Sequence, residues 1–415
     1  MLRRAFLQTA SRSTVALPAA ASLTALASAS MASVFPATSA AAQGSVDSSE
    51  AAKAMAYLNQ VLATKDADFG QQQWSLDNDN DRAEGRLMLL NTLAHAMEAW
   101  LHADPARPVF KRWHTPEKKL LGDNPDSIYY DAAVSADHSY RIRGNIDGAT
   151  YTSFTVEVAR GEAASGKLGA VINDREFDIA DDGSFEIIAS VKKPKGAANW
   201  LPLAENAISI TTRHYYETVD NVSADRLKHI PILIENINDP GPAPRLTEDD
   251  IAGRIMRVAH WLNATVFAPS HMRSPHWVSR VKNEFAPLKV DDSNQSIGYA
   301  AKDNTYAMTW FDLAPDEALI IRGRWPKCRF ANVVLQNMFM QTLDYIGRNI
   351  SLNRAQAVTD DDGNFEMIVA HQNPGRDNWL DTEGRRHGVI FCRFQLVEGD
   401  LQSLDTELVK LSSLA

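Results

Sequence analysis

The chain has 415 residues, 45% of them hydrophobic and 23% charged, with a formal charge of −10. That composition supplies two ordinary apolar cores and excludes a disordered chain, while the negative surface repels nucleic acid and anionic membrane, so neither is an expected partner. The two cysteines, Cys328 and Cys392, both fall in the second half, so no disulfide framework holds the whole fold.

Residues 1–42 read as an export signal. Leu2-Arg3-Arg4-Ala5-Phe6-Leu7 precedes a mildly apolar stretch of Ala, Ser and Thr that closes on Ala40-Ala41-Ala42. The arginine pair followed by Phe-Leu resembles the twin-arginine signal, and an ordinary secretory leader has the same layout. Either route leads to the periplasm or beyond, with cleavage near Ala42. The stretch carries Arg3, Arg4 and Arg12 and no acid, so −10 less three positive charges leaves the remainder at −13. Interrupted by Ser, Thr and Pro and closing on a small-residue cleavage pattern, it is expected to be removed and not kept as a bilayer anchor, and no later segment is apolar for long enough to span one. The protein is therefore not expected to be integral to a membrane.

Helical spacing appears at 50–64 and again at 82–103, where Leu87, Leu90, Leu93, Met97, Trp100 and Leu101 would form the buried stripe. Alternating runs follow at 139–144 and 149–158. Residues 177–189 read as a hairpin around Asp182-Gly183, whose glycine supplies the positive-φ position of a tight turn. A last strand is expected at 207–215. Asn238-Asp239-Pro240-Gly241-Pro242-Ala243-Pro244 can continue neither helix nor ladder and marks a linker. The cycle then restarts. Thr247 caps a helix over 247–266 with Ile251, Ile255, Val258, Trp261 and Leu262 inward, and strands are expected at 318–323, 329–338 and 388–396, with a hairpin at 355–369. The tail, 399–415, spaces Leu401, Leu404, Leu408, Leu411 and Leu414 as a helix that docks on a sheet.

Four landmarks recur in one frame. Asp123-Asn124 returns as Asp303-Asn304, Arg143-Gly144 as Arg322-Gly323, Asp182-Gly183 as Asp362-Gly363 and Asn199-Trp200 as Asn378-Trp379, at offsets of 180, 179, 180 and 179. A period of this length is a domain, not a solenoid unit. The expected fold is therefore mainly β: two tandem sandwich or jelly-roll domains, each preceded by an amphipathic helix, at 43–240 and 241–415.

Tyr140-Arg141-Ile142-Arg143-Gly144, Asp182-Gly183-Ser184-Phe185-Glu186-Ile187 and Asn378-Trp379-Leu380-Asp381-Thr382-Glu383-Gly384 with Arg393-Phe394 resemble the bacterial domain of unknown function 1214. The resemblance spans most of 120–220 and 300–397. It implies an exported tandem β-sandwich protein and assigns no reaction; the likeness of such double sandwiches to peptide N-glycanases suggests glycan processing by fold analogy alone. The family's Asn-Pro-Asp-Asn-x-Tyr pattern is altered to Asn124-Pro125-Asp126-Ser127-Ile128-Tyr129 in the first copy and Asp303-Asn304-Thr305-Tyr306 in the second.

Residues kept by both copies serve what the copies share. On that logic Arg143 and Arg322 form structural ion pairs, to acids such as Asp131 or Asp312, and Trp200 and Trp379 lock loops. Chemistry is sought where only one copy has the equipment. The loop at 377–387 carries Asp381, Glu383 and His387 where the first copy has one acid, and crowded carboxylates beside a histidine can exchange protons with a substrate. A solvated, charge-balanced loop has the same composition. As an enzyme, a glycan hydrolase would use Asp381, Glu383 and His387, with Arg322 and Arg393 orienting substrate. As a binding protein it would hold a polar small molecule or glycan through Arg322, Tyr306, Trp379 and Arg393. A scaffold presenting its sandwiches to an envelope protein is the third reading. Pro275 breaks the spacing of His271 and His276, so no metal site is expected, and no cofactor motif is present.

Overall fold

The computed structural model describes residues 48–71, 76, 78–160, 163–266, 275–290 and 300–414. The proposed leader and His271 lie outside them. Three α-helices occur among these residues. The first, α1 (Glu50–Asp68), starts at Ser49, whose hydroxyl accepts from Ala52 N. The second, α2 (Asp79–Ala96), runs on as a π turn, Met97–Leu101. The third, α3 (Glu248–Thr265), carries a complete capping box: Thr247 Oγ1 accepts from Asp250 N, and the Asp250 carboxylate accepts from Thr247 N.

The stripe of α3 is as expected, with Ile255, Val258, Trp261 and Leu262 buried. That of α2 is not. Leu87 and Leu90 are 54% and 57% exposed, and the buried face is Gly85, Met88, Leu89, Thr92, His95 and Ala96. The polar members go inside because each finds an acceptor there: Thr92 Oγ1 donates to Met88 O at 2.8 Å, and His95 sits between the carbonyls of Asn91 and Trp113. Gly85 lets the rings of Phe69 and Phe339 approach to within 3.2 Å of where a Cβ would stand.

The strands of the first half are β1 (Lys111–Arg112), β2 (Ser127–Ala133), β3 (Tyr140–Asn145), β4 (Tyr151–Arg160), β5 (Ala163–Asn173), β6 (Ser184–Ser190), β7 (Trp200–Pro202), β8 (Ala207–Tyr215) and β9 (Ile232–Asn236). Those of the second are β10 (Asn304–Asp312), β11 (Glu317–Arg324), β12 (Phe330–Gln336), β13 (Ser351–Asn353), β14 (Asn364–Ala370), β15 (Trp379–Asp381), β16 (His387–Gln395) and β17 (Asp405–Lys410). They form four sheets, β1-β2-β8-β4-β5 and β7-β6-β3-β9, then β10-β16-β12-β13 and β15-β14-β11-β17. Apart from the short β1, the second pair repeats the first strand for strand, including the parallel pairing of β6 with β7 and of β14 with β15. The chain is a duplicated β sandwich.

Two expectations change. The tail is a strand, since β17 completes the ladder along β11, with Leu404 buried at its entry and Leu408 half exposed. Its counterpart is β9, on the matching edge of β3. The hairpins at 177–189 and 355–369 keep their Asp-Gly turns, with Gly183 at φ +82 and Gly363 at φ +80, but only their second arms, β6 and β14, are strands.

Each sandwich closes on its own core. Ile142, Phe154, Val156, Ile187 and Ile210 lie at the centre of the first, and Leu319, Val333, Met367, Ile390 and Cys392 at that of the second. Each such side chain contributes about 1.5–3 kcal/mol of burial. Cys392 belongs to this core and Cys328 packs at its margin, unbonded to each other. From Ser48 onward the chain is one compact unit. No helix among the described residues is long and apolar enough to cross a membrane.

Candidate functional site

The repeated Asn-Trp motif is a clamp. Asn378 Oδ1 accepts from Val358 N at 2.8 Å, and its Nδ2 donates to Val358 O and Glu366 O; Asn199 makes the same three bonds to Asp178 N, Asp178 O and Glu186 O. The indoles beside them donate to Ala370 O and Ser190 O, both at 3.1 Å. Trp200 and Trp379 thus lock loops. The repeated arginines pair with glutamates of neighbouring strands and not with Asp131 or Asp312: Arg143 with Glu235 at 2.6 Å, and Arg322 with Glu366 at 2.9 Å and Glu407 at 2.7 Å. The glycine after each arginine is required because Phe185 or Phe365 lies 2.8 Å from where a Cβ would be.

The acidic loop is held from several sides. Asp381 is 6% exposed; its Oδ1 accepts from Glu383 N at 2.7 Å and its Oδ2 from Arg348 at 2.9 Å. Glu383 stands at φ +55 before Gly384 at φ +75, with Oε1 accepting from Asp344 N at 2.6 Å and Oε2 paired to Arg385. Arg385 also pairs with Glu84 of α2. His387 opens β16 with Nδ1 3.3 Å from Asp312. Of these, Glu84, Glu383 and Arg385 border a groove of about 380 Å³, lined also by Leu87, Lys119, Gln341 and Tyr345 among others. Asp381 and His387 are not among the groove-lining residues.

Sheets β1-β2-β8-β4-β5 and β10-β16-β12-β13 meet at a seam. Strand alternation sends one side of β8 into the core and the other, with Thr211, Arg213 and Tyr215, toward the second sandwich; β16 likewise presents Phe391, Arg393 and Gln395. The seam combines aromatic and polar contacts. Tyr215 and Phe330 stand with ring centroids 5.0 Å apart, while Tyr151 Oη donates to Asp303 at 2.5 Å and Asn304 Nδ2 to Tyr215 Oη at 3.3 Å. Arg213 and Arg393 are 3% and 2% exposed. Arg393 was singled out from sequence with Tyr306, which faces it in register; Arg213, facing Tyr129, was not. Their spacing of 180 residues, the same as the other landmarks, was the available signal.

That register corrects the first landmark. With Tyr129 opposite Arg213 and Tyr306 opposite Arg393, the equivalent of Asp303-Asn304 is Asp126-Ser127, at an offset of 177, and not Asp123-Asn124. The correction exposes a reciprocal bond. Asn353 Nδ2, at the end of β13, donates to Asp126 at 3.1 Å, and Asn173 Nδ2, at the end of β5, donates to Asp303 at 3.0 Å. Each copy thus offers an aspartate to the other's asparagine.

Asp126 also accepts from Asn332 and Asn221, both at 2.8 Å. Burial pushes its carboxyl up to about 6, against these hydrogen bonds and Arg393, which pull it down. Asp123 is raised in the same way, opposed by Lys119 and by bonds from Thr342. Burial drives His95 down to about 4, so at neutral pH its ring donates to only one of its two carbonyl neighbours. His114, partly buried beside Tyr129 and near both arginines, is likewise pushed down by burial. Among the described residues no group of three or more His, Cys, Asp or Glu is arranged to hold a metal.

The fold and seam define a fused pair of β sandwiches with a buried polar junction. Residues 129–218, most of the first sandwich, match the sequence profile of the family described as Protein of unknown function (DUF1214), and the chain contains that domain. A crystal structure of an uncharacterized protein from Burkholderia cenocepacia is similar at 28% identity with a TM-score of 0.77, over 87% of this chain and 98% of that one. The VPA0106 protein from Vibrio parahaemolyticus is a distant match at 11% identity and a TM-score of 0.48, over 78% and 98%. No curated protein matches the sequence.

Proposed function

We propose that this protein is exported to the periplasm through residues 1–42 and binds a polar, hydroxylated ligand of the glycan type in the groove beside α2. One observation carries the reading: a groove of about 380 Å³ in which carboxylates, a lysine, an arginine, side-chain amides and Tyr345 converge from both copies. That volume and mix of a few polar groups around an aromatic suit one or two sugar units. Binding is favoured over turnover because both oxygens of Asp381 and both of Glu383 already accept hydrogen bonds within the protein. Carboxylates used as struts for a turn are poorly placed to take or give a proton.

The purified protein screened against neutral and acidic oligosaccharides should bind a subset. Leu87→Trp, which narrows the groove at a half-exposed helix position, should weaken that binding by about tenfold or more. Absence of binding across the panel would overturn the reading. A hydrolase is the second reading, favoured by Glu84 and Glu383 meeting Arg385 within the groove. It requires release of new reducing ends, lost in Glu383→Gln or Asp381→Asn with binding retained.

A further inference from the structure

The two seam arginines occupy equivalent positions but have unequal surroundings. Arg213 donates from Nη1 to Thr155 Oγ1 at 2.7 Å and from Nη2 to Ala300 O at 3.2 Å, with Glu157 3.9 Å away as its buried counter-charge. On β4, Thr155 and Glu157 lie opposite Thr211 and Ser209; on β12, the residues opposite the matching Phe391 and Val389 are Val334 and Gln336. The second copy has therefore exchanged a hydroxyl for a methyl and a carboxylate for a neutral amide.

Arg393 lacks that support. Its Nη2 donates to Gly122 O at 2.5 Å and to Asp123 O at 3.3 Å, its guanidinium lies 4.2 Å from the Phe391 ring centroid, and its Nη1 has no hydrogen-bond partner. Among the described residues no carboxylate lies within ion-pair distance of it. The nearby acids are engaged elsewhere: Asp123 accepts from Thr342 N and Oγ1, and Asp126 from three asparagine amides. Two glutamines of the same sheet are also incompletely bonded. Both ends of the Gln395 amide, two residues along the same strand face, lack partners, as does Gln336 Oε1. A buried guanidinium without a direct ion pair is a costly arrangement in a protein interior.

We propose that the seam at Arg393 takes up a small carboxylate anion, of the formate or acetate class, which accepts from Arg393 Nη1. Its charge does for Arg393 what Glu157 does for Arg213. The carbonyl of partly buried Gly122 accepts from the same guanidinium. The site does not depend on the groove binding a glycan.

Thermal unfolding of the full chain, titrated with sodium acetate against sodium chloride at matched ionic strength, tests the proposal. Acetate should raise the midpoint saturably by about 3 °C or more beyond chloride. Gln336→Glu, which restores the first copy's carboxylate, should raise the midpoint without acetate and remove most of the acetate response. Arg393→Gln should also lose that response. Acetate and chloride acting alike on the wild type, or an undiminished acetate response in Gln336→Glu, overturns the proposal.

Discussion

Asp126 belongs to the first copy by sequence and to the second by its bonds, since Asn332 and Asn353 reach it across the seam. Its folded-state pKa, about 6, lies above the ordinary carboxyl value of 3.8, so the native state holds the proton more tightly than the unfolded chain. The stabilisation from protonation is complete below about pH 4 and is lost as pH rises through 6, on the order of 3 kcal/mol. Asp131, also raised to about 6 by burial, acts in the same sense. Asp126→Asn should flatten the dependence of urea stability on pH between 4 and 7, and should lower stability at pH 7 by about 1–3 kcal/mol, because an amide N–H then faces donor groups. An unchanged slope would assign the titration to other groups. Tyr306 and Arg393 were legible as candidates because they sit in stretches that resemble the family's motifs; Arg213 and Asn173 were not, because an alternating strand buried on both faces hides which polar residues point toward a partner sheet.

Among the elements, the Asn-Trp clamps show what the repeat preserves. Asn378 carries three hydrogen bonds at φ +54, a left-handed conformation that asparagine tolerates and alanine resists; Asn199 has the same bonds without that φ. Asn378→Ala should cost about 2–3 kcal/mol in urea unfolding and Asn199→Ala measurably less. Strands such as β8 and β16 and the capped start of α3 could be read from the sequence, because alternation and capping are local signals. The inner face of α2 and the form of the tail could not. Thr92 and His95 are buried by acceptors that only the fold supplies, and the leucines near the C-terminus fit a helix until the open edge of β11 is there to pair with them.

At the scale of the molecule, the seam makes the two sandwiches mutually dependent. Breaking it would strand Asp126, Asp303, Asn332 and Arg393 without partners from the other half. Calorimetry should therefore record one cooperative transition, with calorimetric and van't Hoff enthalpies in agreement; two separable transitions would contradict the shared junction. The duplication was legible because the Asp-Gly turns, the Arg-Gly pairs and the Asn-Trp clamps recur in both copies, yet the true pairing of the first landmark emerged only from strand register. The crossed Asp126–Asn353 and Asp303–Asn173 bonds have the form of a contact between two identical subunits joined about a dyad. In such a homodimer every substitution lands on both sides at once. Covalent fusion removes that constraint, which is how one half could retain Glu157 while its twin carries Gln336.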